Sequence, residues 1–133
     1  MALIRATSGS GGGSGTCAMI HMDRLSNNMR VFASSQTDSK AVNKSMGNGT
    51  FTLNVDGLGT VVVDTTNTNY GCTATITTTK NFNYALYKTT SSTSETIISE
   101  SGTLTANVAT TFTVYYYNLS ESRPWQIELL LWE

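Results

Sequence analysis

The sequence predicts an all-β protein, an antiparallel β-sandwich of the jelly-roll or immunoglobulin-like type with about eight strands. Only 13% of the residues are charged, while serine, threonine, asparagine and glycine are abundant. Several short segments alternate apolar with polar side chains, and turn-forming residues separate these segments at regular intervals. We therefore expect one β-sandwich domain over residues 17–133, preceded by an extended Gly/Ser-rich arm over residues 1–16.

The clearest alternation predicts a β-hairpin near the middle of the chain. Residues 50–55 (TFTLNV) place three apolar side chains on one face, namely Phe51, Leu53 and Val55. The Asp-Gly pair at 56–57 is a turn signal, and residues 59–66 (GTVVVDTT) have the composition of the partner strand. Further strands are predicted over residues 73–79, 84–89, 95–100 and 102–105.

Residues 17–33 fit two patterns. Strand-like alternation sets Ala18, Ile20 and Met22 on one side, followed by a turn over residues 23–28 and a second strand over residues 29–33. Helical spacing would instead align Met22, Leu25, Met29 and Phe32. We favour the β-hairpin because the chain that follows is strand-like. Residues 34–48 are expected to form a polar loop.

The C-terminal region predicts a second hairpin, formed by residues 111–117 and 125–132, at the centre of the sheet. Its polar connection contains Pro124, the only proline in the chain. Alternation assigns seven side chains to the core: Phe112, Val114, Tyr116, Trp125, Ile127, Leu129 and Leu131. Four others share the second face: Tyr115, Tyr117, Leu130 and Trp132. This face could be a second buried layer, which we favour, a subunit interface or a sugar-stacking platform.

The residues that usually carry catalysis do not form a recognisable pattern. His21 is the only histidine, and no motif surrounds it, so we expect a structural or surface role and no enzymatic activity. In an extended strand Cys17 and His21 would lie ~13 Å apart, which argues against a zinc site with Cys72. We expect no metal and no cofactor. Buried thiols are favoured over a disulfide between Cys17 and Cys72.

Charge and hydropathy narrow the range of partners. The formal net charge is -1, and the lysines and arginines are scattered, so no nucleic-acid partner is expected. No run approaches the ~18 apolar residues of a membrane span. The first residues, MALIRA, are too short for the apolar core of a secretion signal. We therefore expect a chain that is made and retained in a cytoplasm, or released by a route other than a signal peptide, without insertion into a membrane.

The order of these features resembles the small structural proteins of tailed bacteriophage particles. A short apolar start (MALIRA) is followed by a glycine-rich stretch (SGSGGGSG) and by a low-charge β-domain rich in threonine, serine and asparagine. The resemblance implies a non-enzymatic subunit of the capsid-decoration, head-fibre, tail or baseplate accessory type, assembled in the host cytoplasm as a homo-oligomer. Its partners would be other virion proteins.

The same resemblance implies a role for the N-terminal arm. Ala2, Leu3 and Ile4 would dock on a neighbouring subunit, and the glycines, including Gly11, Gly12 and Gly13, would thread a narrow gap. The alternative function is a carbohydrate- or receptor-binding module with a glycan as partner, as in a phage adhesin. There Tyr115, Tyr117, Leu130 and Trp132 would form the stacking surface, and threonine or asparagine side chains would orient sugar hydroxyls.

Overall fold

A computed structural model of the chain describes residues 15–66, 71–91, 95–115 and 123–133. These ranges contain ten β-strands and no helix, and therefore none that could span a membrane. The strands are β1 (Cys17–Leu25), β2 (Asn28–Ser35), β3 (Ser39–Ser45), β4 (Thr50–Val55), β5 (Gly59–Asp64), β6 (Gly71–Thr78), β7 (Phe82–Ser91), β8 (Glu95–Leu104), β9 (Thr110–Tyr115) and β10 (Pro124–Trp132). About eight strands were expected; β3 was not predicted, and the two strands predicted over residues 95–100 and 102–105 form one strand, β8.

The strands form two antiparallel sheets. The larger sheet has six strands in the order β3-β2-β1-β10-β7-β8, and the smaller has four in the order β4-β5-β6-β9. Strand β4 contacts β2 and β3, while β9 contacts β1 and β10, so the two sheets pack against each other. This confirms the all-β class and an arrangement consistent with a β-sandwich.

The core lies between the two sheets and draws on the apolar face of each. In the six-stranded sheet, β10 contributes Ile127, Leu129 and Leu131, which are almost completely buried. The four-stranded sheet contributes Val61 and Val63 of β5 in the same cluster. Period-2 alternation predicts this pattern because successive side chains of a strand point to opposite faces.

The N-terminal hairpin is confirmed. Strands β1 and β2 pair in antiparallel register from the Ala18–Ser35 pair to the Leu25–Asn28 pair. Ser26 and Asn27 form the turn, and Ser26 adopts a φ of 54°, in the left-handed region. The helix that the spacing of Met22, Leu25, Met29 and Phe32 could also have indicated therefore does not form.

The predicted polar loop over residues 34–48 is wrong, because residues 34–35 end strand β2 and residues 39–45 form strand β3. This strand pairs with β2 and lies at the edge of the six-stranded sheet. Only Val42 is half-buried, and every other side chain of β3 is exposed. A strand exposed on both faces needs no apolar alternation, so its sequence reads as a loop.

The predicted C-terminal hairpin is also wrong. Strand β9 pairs with β6 in the four-stranded sheet, whereas β10 lies between β1 and β7 in the other sheet. Alternation specifies which face of a strand is buried but does not identify its partner. Trp125 is half-buried rather than a core residue, because the register shifts between Pro124 and Gln126. The predictions for Tyr116 and Tyr117 lie outside the described residues.

A glycine is required at position 59, where two strands approach each other closely. Gly59 begins β5 with a φ of 137°, and a Cβ atom there would overlap the carbonyl oxygen of Thr77 on β6. Gly49 has a similar φ of 140° but has no atom within 4 Å of the position a Cβ would take. A comparison of alanine substitutions at Gly59 and Gly49 would therefore separate the effect of backbone conformation from the effect of crowding.

The two cysteines lie in different sheets and are both buried thiols. Cys17 begins β1, whereas Cys72 of β6 donates through Sγ to Sδ of Met46 at 3.3 Å. This agrees with the expectation of thiols rather than a disulfide. The predicted arm residues Ala2, Leu3, Ile4, Gly11, Gly12 and Gly13 lie outside the described residues.

Candidate functional site

The outer face of the six-stranded sheet, the side turned away from the four-stranded sheet, carries a chain of ionic side chains. We call Arg30, Asp23, His21 and Glu128 the His21 cluster. They come from β2, β1 and β10, and strand register places Asp23 opposite Arg30 and His21 opposite Glu128. His21 and Asp23 are two residues apart on β1, so alternation sends both side chains to this face.

The contacts within the His21 cluster are short. Arg30 donates from Nε and Nη2 to the two carboxylate oxygens of Asp23, at 2.7 and 2.8 Å. The His21 ring joins two carboxylates, with Nε2 2.8 Å from Oδ2 of Asp23 and Nδ1 2.9 Å from Oε2 of Glu128. The Asp23 side chain is only 5% exposed, so these bonds satisfy a carboxylate that has lost most of its water.

These contacts shift the ionisation of His21 and Asp23. Burial lowers the pKa of His21, but hydrogen bonds to Asp23 and Glu128 outweigh it, and the pKa rises above its ordinary value. Burial raises the pKa of Asp23, but the hydrogen bonds from Arg30 and His21 outweigh it, and the pKa falls. The contacts therefore favour an imidazolium that donates to both carboxylates.

The chemistry open to the His21 cluster is limited while these contacts persist. A general base needs a ring nitrogen that can reach a substrate, and both nitrogens of His21 already face carboxylates. Within the described ranges, no three His, Cys, Asp or Glu side chains are arranged to hold a metal ion. The cluster is best suited to fixing the positions of its own side chains, especially the Arg30 guanidinium.

A depression of about 470 Å³ lies beside the cluster, over strands β1, β2 and β3. We call it the Phe32 depression. Its outer-face lining comprises His21, Asp23, Arg30, Phe32, Ala41 and Asn43. Phe32 is 38% exposed and lies between His21 and Ala41 in the cross-strand register. The Phe32 depression therefore combines an accessible aromatic ring with fixed polar groups.

Sequence reasoning did not identify this depression. Asp23 was assigned to a turn, and Ala41 and Asn43 to a loop, although all three lie in strands. The available signal was the two-residue spacing of His21 and Asp23, which places them on one strand face. Locating Arg30 and Glu128 beside them required the strand pairing.

The residues predicted as an interface or glycan-stacking surface are divided between the two sheets. Leu130 and Trp132 are half-buried neighbours on the outer face of the six-stranded sheet, opposite Met19 and Cys17 of β1. Tyr115 lies at the end of β9 in the four-stranded sheet, with the Arg123 guanidinium 5.2 Å from its ring centre. Tyr117 lies outside the described residues.

The two edges of the six-stranded sheet differ in how they are protected. Edge strand β3 exposes Lys40 and Lys44, and such charges oppose pairing with another chain. Edge strand β8 has ten residues (ETIISESGTL) without lysine, arginine or proline. Its Ile97 is 68% exposed. Its charged residues are Glu95 and Glu100 alone, so β8 lacks the lysine and proline that protect an edge most strongly.

Searches of protein-family models, curated proteins and solved structures found no match to this chain.

Proposed function

We propose that this chain is a non-enzymatic structural subunit of a bacteriophage particle, of the capsid-decoration, head-fibre or tail accessory type. It assembles in the host cytoplasm as a homo-oligomer and contacts other virion proteins, and the N-terminal arm attaches it to a neighbour. The supporting observation is the edge strand β8, which has no lysine or proline and offers unpaired backbone groups for association with another chain. The particle assignment rests on the resemblance of the sequence.

The contrast between β3 and β8 supports association through the β8 edge rather than through the β3 edge. Both strands border the same sheet, and charged or proline residues normally prevent unwanted pairing at such edges. β3 has two exposed lysines. β8 has no lysine, and beside Glu100 it exposes Ile97, an apolar side chain that loses contact with water when a partner covers it.

The occupant of this edge is β8 of a second copy, in antiparallel pairing. A two-fold axis through Ser99, perpendicular to the sheet, continues each face of the sheet into the partner. In this register Ile97 faces Ser101, and Glu100 faces Ile98 of the other copy. Glu100 also retains Lys88, whose Nζ lies 2.8 Å from its carboxylate within the same chain. Like charges therefore do not face each other along this part of the edge.

Cysteine cross-linking tests the pairing. Residues directly opposite in an antiparallel pair have Cβ atoms ~4.5–5.5 Å apart, so Ser99→Cys should form a disulfide-linked dimer under mild oxidation. Thr103→Cys is the matched control on the same strand. Its two copies would be ~26 Å apart, at about 3.3 Å per residue, and should not cross-link. Equal cross-linking of both variants, or of neither, would rule out this register.

Light scattering on the reduced protein gives an independent test. Ile97→Lys introduces a charge on the open edge and should weaken association about tenfold or more. Val108→Lys changes another exposed apolar side chain, which lies outside any strand, and should leave association unchanged. A monomeric wild-type chain, or the same effect from both lysines, would count against the proposal.

A further inference from the structure

We infer that the Phe32 depression binds a neutral pyranose sugar, as a terminal residue of a glycan. This binding site is separate from the β8 edge and does not depend on it. The inference rests on three features of the depression, which are an accessible aromatic ring, fixed hydrogen-bonding groups on one side of it, and a balance of charge.

The aromatic ring has room above it. Phe32 lies on the outer face with 38% of its surface exposed, and its cross-strand neighbour on β3 is Ala41. Because the Ala41 side chain is a single methyl group, the sheet surface beside the Phe32 ring lies lower than the ring. A pyranose has one face made mainly of C–H groups, and that face can pack against an exposed aromatic ring.

The next row of the sheet supplies hydrogen-bonding groups. Arg30 uses Nε and Nη2 for Asp23, which leaves Nη1 outside this fork and able to donate to a ligand. Asn43 of β3 is paired with Arg30 in the register, and its exposed amide both donates and accepts. A sugar on Phe32 would therefore meet a guanidinium donor and an amide, which suits adjacent hydroxyl groups.

The ion pairs fix the side chains of this site in place and balance their charges, which favours a ligand without net charge. Asp23 holds the Arg30 guanidinium in one orientation, so less conformational freedom is lost when a ligand binds. Arg30 and protonated His21 balance Asp23 and Glu128, and deprotonation of His21 leaves one net negative charge. Such a site offers no net attraction to a sialic or uronic acid, so the ligand class is a neutral sugar.

Saturation-transfer NMR with the methyl pyranosides of glucose, galactose, mannose and N-acetylglucosamine, and with sialic acid, tests the assignment. At least one neutral sugar should receive saturation from the wild-type protein. Titration of that sugar should show about tenfold weaker binding for Phe32→Ala, since stacking contributes on the order of 1 kcal/mol. Asn43→Ala should also weaken binding, because it removes the amide that would hydrogen-bond to the sugar.

Tyr87→Ala is the matched control. Tyr87 is 41% exposed and lies on the outer face opposite Glu128, but it does not line the Phe32 depression. This variant should bind the sugar as the wild type does, and thermal melts should show that all three variants are folded. The assignment is overturned if no neutral sugar binds, if sialic acid binds better, or if Tyr87→Ala has the same effect as Phe32→Ala.

Discussion

His21 and Glu128 are 107 residues apart in the sequence, yet Nδ1 of the imidazole lies 2.9 Å from Oε2 of the carboxylate. The pair joins β1 to β10 on the outer face of the larger sheet. On its other side the same ring contacts Asp23, which Arg30 holds from β2. One histidine thereby links three neighbouring strands.

The first prediction concerns the pH dependence of stability. The folded state raises the pKa of His21, because its hydrogen bonds to Asp23 and Glu128 outweigh the effect of burial. This contribution is complete below the ordinary histidine pKa of about 6.5 and is lost as the pH rises through the higher folded value. The free energy of unfolding in urea should therefore fall between about pH 6 and pH 8.5.

His21→Gln is the variant that assigns this slope. His21 is the only histidine, so glutamine should remove most of the decrease over this interval. Glutamine can still form hydrogen bonds but has no titrating proton. A slope of the same size in the variant would show that another group is responsible.

The second prediction concerns backbone crowding at the start of β5. Gly59→Ala places a Cβ against the Thr77 carbonyl oxygen and should lower the free energy of unfolding by ~2–4 kcal/mol. Gly49→Ala has the same unfavourable backbone conformation without the clash, so its cost should be about 1 kcal/mol. Chemical denaturation measures both. Equal losses would mean that crowding at Gly59 has no effect of its own.

The third prediction concerns the buried face of β10. Leu129 is 1% exposed and pairs with Ile20 on one side and Leu86 on the other. Leu129→Ala should cost ~2–5 kcal/mol, because it removes buried methyl groups and leaves a cavity. Leu25→Ala makes the same chemical change at a side chain that is 55% exposed, and it should cost less than about 0.5 kcal/mol. Similar midpoints in thermal melts would contradict this difference.

The fourth prediction separates the arm from the folded domain. Deletion of residues 1–14 retains Thr16, whose backbone nitrogen donates to the Glu133 carboxylate and whose hydroxyl accepts from Lys80. The free energy of unfolding should therefore change by less than about 0.5 kcal/mol. Association through β8 should also persist, while incorporation into phage particles should be lost. Unchanged incorporation would refute the proposed role of the arm.

The sequence predicted which side of a strand is buried better than it predicted which strands are neighbours. Leu53, Val55, Leu129 and Leu131 were assigned to the core by alternation, and all four are buried. Alternation is a local property, whereas pairing depends on contacts across long separations. Strands β9 and β10 were therefore assigned to one hairpin although they belong to different sheets.

The candidate site was less predictable for the same reason. Phe32, Asn43 and Arg30 come from two strands, one of which had been taken for a loop. The ion pairs also require β1 to lie between β2 and β10. Residue types alone could identify His21 as unusual but could not indicate that two carboxylates face its ring.

The position of β10 has a consequence for the order of folding. Among the strands that the structure describes, β10 is the last to be synthesised, yet it alone joins the β1-β2-β3 ribbon to the β7-β8 ribbon. Until it arrives, β1 and β7 each have an open edge, and the two ribbons cannot form one sheet. Completion of the larger sheet is therefore a late, long-range step. We expect a nascent chain that stalls before β10 to need protection from aggregation.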